Sequence, residues 1–264
     1  MNKKLLPYLI LSGSLIFVAI FAEYLTPFDP YEQNLENALT PPNSVNLLGT
    51  DRYGRDVLSR VIIGSQTTLC ASLLLLLTIS VVGSLIGAIC GYAGGKLDTF
   101  LMRISDIFLA FPQMVFAVAV AGVLGGGLFN AAFALAIIGW TKYARIARGL
   151  ALTVKSLPYI DAAKMAGTGS AGILFSHILP NIAGPILVTA ALDIGTIIME
   201  LAGLSFLGLG AQPPTAEWGA MMNNGRSMLQ TSSWVILAPG VAIFITVAIF
   251  NLLGDKLRDV LAPR

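Results

Sequence analysis

Long apolar segments separated by short polar intervals make up most of this chain. Each segment is close to the roughly 20 residues that an α-helix needs to cross a bilayer. The pattern therefore predicts an all-α, polytopic membrane protein with six transmembrane helices. The predicted spans are residues 5–25, 67–90, 99–123, a span that begins with 128–140, 182–204 and 234–253. In the third span, Phe111-Pro112 predicts a kink, because proline removes one backbone hydrogen bond from the helix.

The composition excludes several classes of protein. A hydrophobic share of 56%, a charged share of 11% and a mean hydropathy of +0.80 are too apolar for a soluble domain. The net charge of +2 comes from basic residues scattered over the segment ends, which does not indicate nucleic-acid binding. Cys70 and Cys90 lie about 30 Å apart on one predicted helix, so they cannot form an intrachain disulfide. The cysteines and the one histidine give no metal-ligand spacing.

The sequence before Lys96 only superficially suggests a phosphate-binding loop. Cys90 stands where the first glycine of such a loop is required, and Leu97 stands where Ser or Thr should follow the lysine. ATP must therefore be bound by another chain.

The polar interval of residues 26–64 follows the first span. In it, Asp51 precedes Arg55 by four positions, and Asp56 precedes Arg60 by the same interval. Opposite charges at this spacing lie on one face of a helix and neutralise each other. The interval therefore predicts a helix that lies at the membrane interface.

Small residues form a stripe on the second predicted span. Gly83, Gly87 and Gly91 recur every four residues, which gives a smooth face for close helix packing in a membrane. The pattern leaves open whether the packing partner is another helix of this chain or a sibling subunit.

A short outer helix is predicted between the last two spans. Thr215 is expected to cap its amino end, Glu217 to lie in its first turn, and Trp218 to anchor it at the membrane interface. Met221 and Met222 give it an adaptable apolar surface. That surface suits packing on the chain's own outer rim as well as contact with another protein.

The long polar interval before the fifth span predicts a helix-turn-helix finger outside the bilayer. Ala162, Ala163 and Ala166 fall at helical spacing and form a small face that another surface can approach closely. Gly167 then offers a left-handed exit from the helix. An ordinary amphipathic connector is the alternative reading of these residues.

Basic residues are distributed unevenly between the two sides of the predicted topology. With the amino terminus in the cytoplasm, twelve Lys and Arg residues lie inside and four lie outside. The inside set is Lys3, Lys4, Lys96, Arg103, Lys142, Arg145, Arg148, Lys155, Lys164, Lys256, Arg258 and Arg264. The count predicts that both termini and the finger are cytoplasmic.

Two acidic residues interrupt the fifth predicted span. Asp193 and Glu200 are seven residues apart, so they lie on nearly one helix face, about 10 Å apart along the axis. Charges are costly against lipid, so this face is expected to look into the bundle or onto a watery substrate path. A structural role, with each carboxyl protonated or hydrogen-bonded to a neighbouring helix, is the alternative.

Several motifs together resemble a known family. The D-A-A-x-x-x-G sequence at Asp161, followed by I-L-P, is similar to the E-A-A loop of the membrane subunits of bacterial binding-protein-dependent ABC importers. Asp161 replaces the usual Glu of that loop, and His177 stands where an apolar residue is common. The L-G-T-D-R-Y-G-R-D segment before Arg60 resembles the peptide and nickel branch, as do L-S-F-L-G-L-G, P-P-T-A-E-W-G and the carboxyl-terminal F-N-L-L-G-D-K-L-R-D.

The resemblance implies the second permease subunit of such an importer, with a type I ABC importer permease fold. Residues 1–64 would form the first transmembrane helix and an extracytoplasmic interfacial segment. Residues 65–264 would form a permease core of five transmembrane helices with a cytoplasmic coupling loop at 141–181. The expected partners are a homologous permease subunit, two cytosolic ATPases and an extracytoplasmic substrate-binding protein in the bacterial inner membrane.

In that assembly this chain is a transport subunit and not an enzyme. The resemblance implies that ATP and Mg²⁺ are bound by the ATPases and that this chain binds no cofactor. The residues expected to couple to an ATPase are Asp161, Ala162, Ala163, Ala166 and Gly167. ATP-driven closure of the ATPases would be transmitted through the finger.

The substrate prediction is nickel ion or a nickel chelate. The L-D-I-G sequence around Asp193 resembles nickel permeases more than peptide ones, and two acidic oxygens suit a cation. Import of dipeptides or oligopeptides by the same type of complex is the alternative. An ion-coupled secondary transporter is the alternative class, although it would commonly show internal repeats, which this sequence lacks at any fixed offset. An intramembrane enzyme would need catalytic groups within the bilayer, whereas His177 is predicted to lie in the finger.

Overall fold

Helices supply the regular structure of residues 5–261, which are the residues that this computed structural model describes. The α-helices are α1 (Leu6–Ile20), α2 (Ala22–Leu25), α3 (Val57–Ala93), α4 (Gly95–Leu109), α5 (Gln113–Leu124), α6 (Leu128–Lys155), α7 (Pro158–Met165), α8 (Ser170–Gly172), α9 (Leu179–Phe206), α10 (Trp218–Gly225) and α11 (Trp234–Leu261). A π-helical turn, Ile173–Ile178, joins α8 to α9. Lys3, Lys4 and Arg264, which the orientation count includes, lie outside the described residues.

Within residues 5–261, three helices are long and apolar enough to cross a membrane, namely Val57–Ala93, Ser170–Phe206 and Trp234–Val260. A fourth crossing is possible if α4 and α5 are taken together, but these two helices meet at 89°. The third predicted span, residues 99–123, is therefore a broken pair and not one kinked helix. The break lies at Ala110–Pro112, where the kink was predicted. The first span, α1, has only 15 residues, so the count of six spans stays a prediction.

The fourth predicted span is longer than its apolar part. The helix α6 continues without a break through Lys142, Arg145 and Arg148 to Lys155. The predicted start of the coupling loop at residue 141 therefore falls inside this helix. The reason is that Lys and Arg are good helix formers, so the change from apolar to basic residues does not end the helix.

The glycine stripe of α3 packs against α6 of the same chain. A Cβ atom added at Gly83 would lie 2.3 Å from the Trp140 carbonyl oxygen, and one added at Gly87 would lie 2.1 Å from that of Ala144. At Gly91 the corresponding distance to the Arg148 carbonyl oxygen is 2.7 Å. Residue numbers rise together along this contact, so α3 and α6 are parallel. Of the two open alternatives for the stripe, the structure supports packing within the chain.

The segment before α3 is not the predicted interfacial helix. Residues 51–56 form a tight turn with Gly54 at φ +72°, and the helix begins only at Val57. The Asp51–Arg55 pair is present, with Arg55 Nη2 2.7 Å from Asp51 Oδ2. The predicted Asp56–Arg60 pair is wrong, because Asp56 caps α3 by accepting hydrogen bonds from the Ser59 backbone N–H and hydroxyl. Arg60 instead donates to the Pro30 carbonyl and lies 3.7 Å from Asp51.

The outer helix α10 also begins differently from its prediction. Glu217, and not Thr215, is the amino-terminal cap, and its carboxylate accepts hydrogen bonds from the backbone N–H groups of Gly219 and Ala220, both at 2.9 Å. The Thr68 hydroxyl on α3 lies 3.2 Å from the same carboxylate. Trp218 is buried and donates from its indole to the Val61 carbonyl, so it anchors α10 to α3 and not to the membrane interface.

We expect Glu217→Ala to destabilise the packing of α10 on α3. Its removal leaves buried N–H donors without an acceptor, which typically costs about 1–3 kcal/mol. The measurement is thermal unfolding of the detergent-solubilised protein. Glu32→Ala, which removes an exposed glutamate of the outer segment, is the matched control and should leave the unfolding temperature unchanged. Equal unfolding temperatures for the two variants would contradict the capping role.

Candidate functional site

An ion pair joins α6 to α9 near the middle of both helices. Lys142 Nζ lies 2.7 Å from each carboxylate oxygen of Asp193, and the Tyr143 hydroxyl donates to Asp193 Oδ2 at 2.9 Å. The Tyr143 ring is buried and fixes the position of that hydroxyl. Asp193 is mostly covered, with 14% of its side chain exposed, whereas 52% of the Lys142 side chain is exposed.

Glu200 lies on the same helix as Asp193, two turns further along. Its Oε2 atom accepts a hydrogen bond of 2.8 Å from the Gln113 side chain at the start of α5. The two predicted path residues are therefore not joined to each other. Each is held by a different helix, Asp193 by α6 and Glu200 by α5.

The Lys142–Asp193 pair lies halfway along the two helices that it joins. Lys142 lies at the middle of the 28-residue α6, and Asp193 lies at the middle of the 28-residue α9. A charged group at the centre of a membrane helix is costly unless it faces protein or water. Asp193 meets this requirement, because it is mostly covered and accepts hydrogen bonds from Lys142 and Tyr143.

Sequence reasoning missed Lys142 and Gln113 as members of this cluster. Lys142 was assigned to the cytoplasmic stretch that begins at residue 141, because its neighbours Arg145 and Arg148 are also basic. The available signal was the acid at position 193, since a carboxylate within a span usually has a partner in another span.

Two further ion pairs fasten α4 across α6. Arg148 holds the Asp98 carboxylate with two hydrogen bonds, of 2.5 and 2.6 Å, and Arg145 pairs with Asp106. Asp98 and Asp106 are eight residues apart, or about 12 Å on a helix, whereas the two arginines are only about 4.5 Å apart along α6. The later residue of α4 thus pairs with the earlier residue of α6.

The predicted finger is present as α7, a turn and the helix that continues into α9. Its root is Ile160, which is fully buried in the core, while Ala162 and Ala166 are exposed and Ala163 is partly exposed. Asp161 is exposed and pairs with Lys164 at 2.9 Å. The small face is therefore presented outward from a firmly anchored helix.

Gly167 ends α7 in the predicted left-handed conformation, with φ +84°. Its N–H donates to the Lys164 carbonyl, and the N–H of Thr168 donates to the Ala163 carbonyl, both at 3.0 Å. This pair of bonds is the Schellman ending of a helix, which needs a residue with positive φ.

Within residues 5–261, no group of three or more His, Cys, Asp or Glu side chains is arranged to hold a metal ion. The charged groups of the site are instead one ammonium and two carboxylates: Asp193 accepts hydrogen bonds from both Lys142 and Tyr143, and Glu200 accepts one from Gln113.

Comparison with known families identifies the chain. Residues 83–264 match the family described as the inner membrane component of binding-protein-dependent transport systems. The chain belongs to this family. Residues 9–42 also match the N-terminal transmembrane domain of oligopeptide transport permease C.

Several curated relatives cover nearly the whole chain. The probable D,D-dipeptide transport system permease protein of Escherichia coli K12 is 43% identical over 95% of this chain and 84% of its own length. The dipeptide transport system permease protein of Haemophilus influenzae is 39% identical over 100% of this chain and 91% of its own. The nickel transport system permease protein of E. coli K12 is 37% identical over 97% and 92%.

A solved structure shows the same fold. A chain of the MetNI methionine ABC transporter, in an inward-facing conformation, aligns with a TM-score of 0.61 and 18% identity, covering 78% of this chain and 98% of that one. The all-α fold of a type I ABC importer permease is thus confirmed. This family consists of multi-pass inner-membrane permease subunits that work with a separate ATPase and a substrate-binding protein. The chain is therefore a transport subunit and not an enzyme. ATP and Mg²⁺ belong to the ATPases.

Proposed function

We propose that this chain is one of two homologous permease subunits in an ATP-driven importer of short peptides, and that Asp193 and Glu200 lie on its substrate path. The observation that carries the proposal is the Lys142–Asp193 pair, halfway along α6 and α9, with Lys142 half exposed. An ammonium group within the bilayer would be unfavourable against lipid. A watery path at the junction with a second permease subunit provides the environment that the pair requires.

Two features favour a peptide over nickel as the substrate. First, relatives named for D,D-dipeptide and dipeptide transport are 43% and 39% identical to this chain, against 37% for the relative named for nickel transport. Second, the Lys142 ammonium neutralises Asp193 and repels a metal cation that approaches it. A zwitterionic peptide, in contrast, carries one charge of each sign and can be attracted by both Lys142 and Glu200.

Import of nickel ion or a nickel chelate is the second candidate function. It is favoured by the 37% identity with a protein named as a nickel transport permease. The two carboxylates of Asp193 and Glu200 on one helix face also supply the oxygen donors that a divalent cation or its chelate can use. Lys142 in turn suits an anionic chelate better than a bare cation.

The finger is proposed to transmit ATP-driven motion to the path. Its five residues Asp161, Ala162, Ala163, Ala166 and Gly167 would dock into a groove of a cytosolic ATPase, as the exposed small face on a buried root supports. The parallel helices α3 and α6 both run in the direction that leads from the Asp51–Arg60 segment to the finger. The finger and both termini would then be cytoplasmic, and the Asp51–Arg60 segment would face the extracytoplasmic binding protein. The full assembly would contain two ATPases.

The experiment compares substrates in proteoliposomes that contain the whole complex with its binding protein. The measured quantity is substrate imported per ATP hydrolysed, for a dipeptide, a tripeptide and nickel. We expect the wild-type complex to import peptides, and the double variant Asp193→Asn/Glu200→Gln to lower that ratio about tenfold, which corresponds to about 1.4 kcal/mol. Glu36→Gln removes an exposed outer carboxylate and is the control, with an unchanged ratio expected.

The possible outcomes separate the two parts of the proposal. Import of nickel without peptides would replace the first candidate by the second. Normal peptide import by the double variant would instead show that Asp193 and Glu200 are structural, while the peptide importer stands.

A further inference from the structure

A polar stripe runs along the side of α9 that carries Asp193. Asp193, Thr196 and Glu200 are spaced by three and four residues, so they lie one above another on a helix. Thr196 is exposed, and Asp193 and Glu200 are partly exposed. The opposite side of α9 is buried at Gly195 and Ile198, and Ile197 and Leu201 on its flank are nearly inaccessible as well. The stripe thus places a hydroxyl between two charged positions on the open side of the helix.

Each charged end of the stripe retains hydrogen-bonding capacity. The Lys142 ammonium has three N–H donors, of which Asp193 takes two. Its exposed side chain leaves the third donor accessible. At the other end, the Gln113 amide donates to Glu200 Oε2, which leaves Oε1 as an acceptor among the described residues. One end can therefore bind a carboxylate and the other an ammonium group.

We infer that Lys142 and Glu200 are specificity-determining residues that receive the two charged ends of a peptide, with Lys142 taking its carboxylate and Glu200 its amino group. This inference rests on the proposed function. Asp193 is then a positioning residue, because together with Tyr143 it holds the Lys142 ammonium in place. Thr196, between the two ends, is within reach of the peptide backbone.

The separation of the two ends sets the length of the peptide. Asp193 and Glu200 are about 10 Å apart along α9, because each residue of a helix rises 1.5 Å. An extended chain spans at most about 3.3–3.6 Å per residue, so two residues span about 7 Å and three about 10 Å. Dipeptides and tripeptides are therefore comparable in length to the axial separation of Asp193, which holds Lys142, and Glu200, whereas four extended residues exceed it.

The test pairs each variant with a peptide that lacks the corresponding charge. Uptake per ATP is measured in the whole reconstituted complex for a free dipeptide, its carboxyl-terminal amide and its N-acetyl form. Any selection by the binding protein is the same for wild type and variant, so it cancels when the two are compared for one peptide. The variants are Lys142→Met and Glu200→Gln. The control is Lys96→Met, which removes an exposed lysine at the start of α4.

We expect Lys142→Met to lower uptake of the free dipeptide about tenfold more than uptake of its amide, because the amide lacks the carboxylate that Lys142 binds. Glu200→Gln should discriminate in the same way between the free and the N-acetylated dipeptide. Lys142→Arg, which keeps the positive charge, should retain the preference for a free carboxylate, and Lys96→Met should behave as wild type.

Equal losses for free and blocked peptides in the Lys142 and Glu200 variants would overturn the inference and leave the peptide importer intact. A wild-type complex that imports none of the free peptides would refute the proposed function itself. An interchanged pattern, with Lys142→Met sensitive to acetylation, would overturn the assigned orientation of the peptide.

Discussion

Gly87→Ala is expected to destabilise this protein more than any other single added methyl group in the glycine stripe. Its Cβ atom would lie 2.1 Å from the Ala144 carbonyl oxygen and 2.8 Å from the carbonyl carbon. Both atoms belong to the backbone of α6, so no side-chain rotation relieves the clash and the two helices must separate. Overpacking of this kind costs about 1–3 kcal/mol or more. We expect less correctly assembled complex and a lower unfolding temperature in detergent.

Gly149→Ala is the matched control for this variant. Gly149 is also a helical glycine, in α6, but its added Cβ atom would have no neighbour within 4 Å. Because alanine favours a helix by about 1 kcal/mol over glycine, Gly149→Ala should be neutral or stabilising. The two variants differ only in the space around the new methyl group. An unchanged unfolding temperature for Gly87→Ala would show that α3 and α6 are not in direct backbone contact.

The glycine stripe shows which part of the fold the sequence determines. The four-residue spacing predicted the packing face of α3, because the same positions return to one side of a helix every turn. The partner of that face could not be predicted, since it depends on residues 140–148, more than fifty positions away. Local periodicity describes one helix, whereas the choice between a neighbouring helix and a sibling subunit is made by tertiary packing.

In the Asp51–Arg60 segment, by contrast, the spacing of residues gives a wrong prediction of the local structure. The four-residue spacing of its acidic and basic residues predicts a helix, but Asp51 pairs with Arg55 across a turn that contains Gly54 at positive φ. Asp56 was better understood as a helix cap, because it precedes a long apolar segment and accepts the Ser59 N–H. A carboxylate in this place can either cap a helix or pair with a basic residue. The four-residue spacing to Arg60 favours the pair, whereas the structure has the cap.

The sequence predicts the two acids of the charged cluster but not their partners, because the partners are distant in the chain. The spacing of Asp193 and Glu200 placed both on one side of α9, but the partners Lys142 and Gln113 lie 51 and 87 residues away in the chain. A lysine next to two arginines has the local pattern of a cytoplasmic loop. Only the unbroken helix α6 places Lys142 beside Asp193, halfway along both helices.

Gly167→Val is expected to uncouple the complex while leaving the chain inserted in the membrane. Gly167 has φ +84°, a conformation that costs a residue with a Cβ atom roughly 1–2 kcal/mol and a β-branched residue more. The variant would relieve this strain by unwinding the last turn of α7. That change breaks the hydrogen bonds from the Gly167 N–H to the Lys164 carbonyl and from the Thr168 N–H to the Ala163 carbonyl. The small face of α7 would then tilt away from its proposed groove on the ATPase. Substrate-stimulated ATP hydrolysis and transport should both fall severalfold.

Gly169→Val separates this backbone effect from a simple loss of space. Gly169 lies two residues further along the same turn, is also exposed, and has ordinary backbone angles of φ −68° and ψ 162°. An added Cβ atom has no neighbour within 4 Å at either glycine. Gly169→Val should therefore keep substrate-stimulated ATP hydrolysis near the wild-type level. Normal stimulation in the Gly167→Val complex would show that the left-handed turn does not set the position of the coupling face, because the two variants differ chiefly in the sign of φ at the substituted residue.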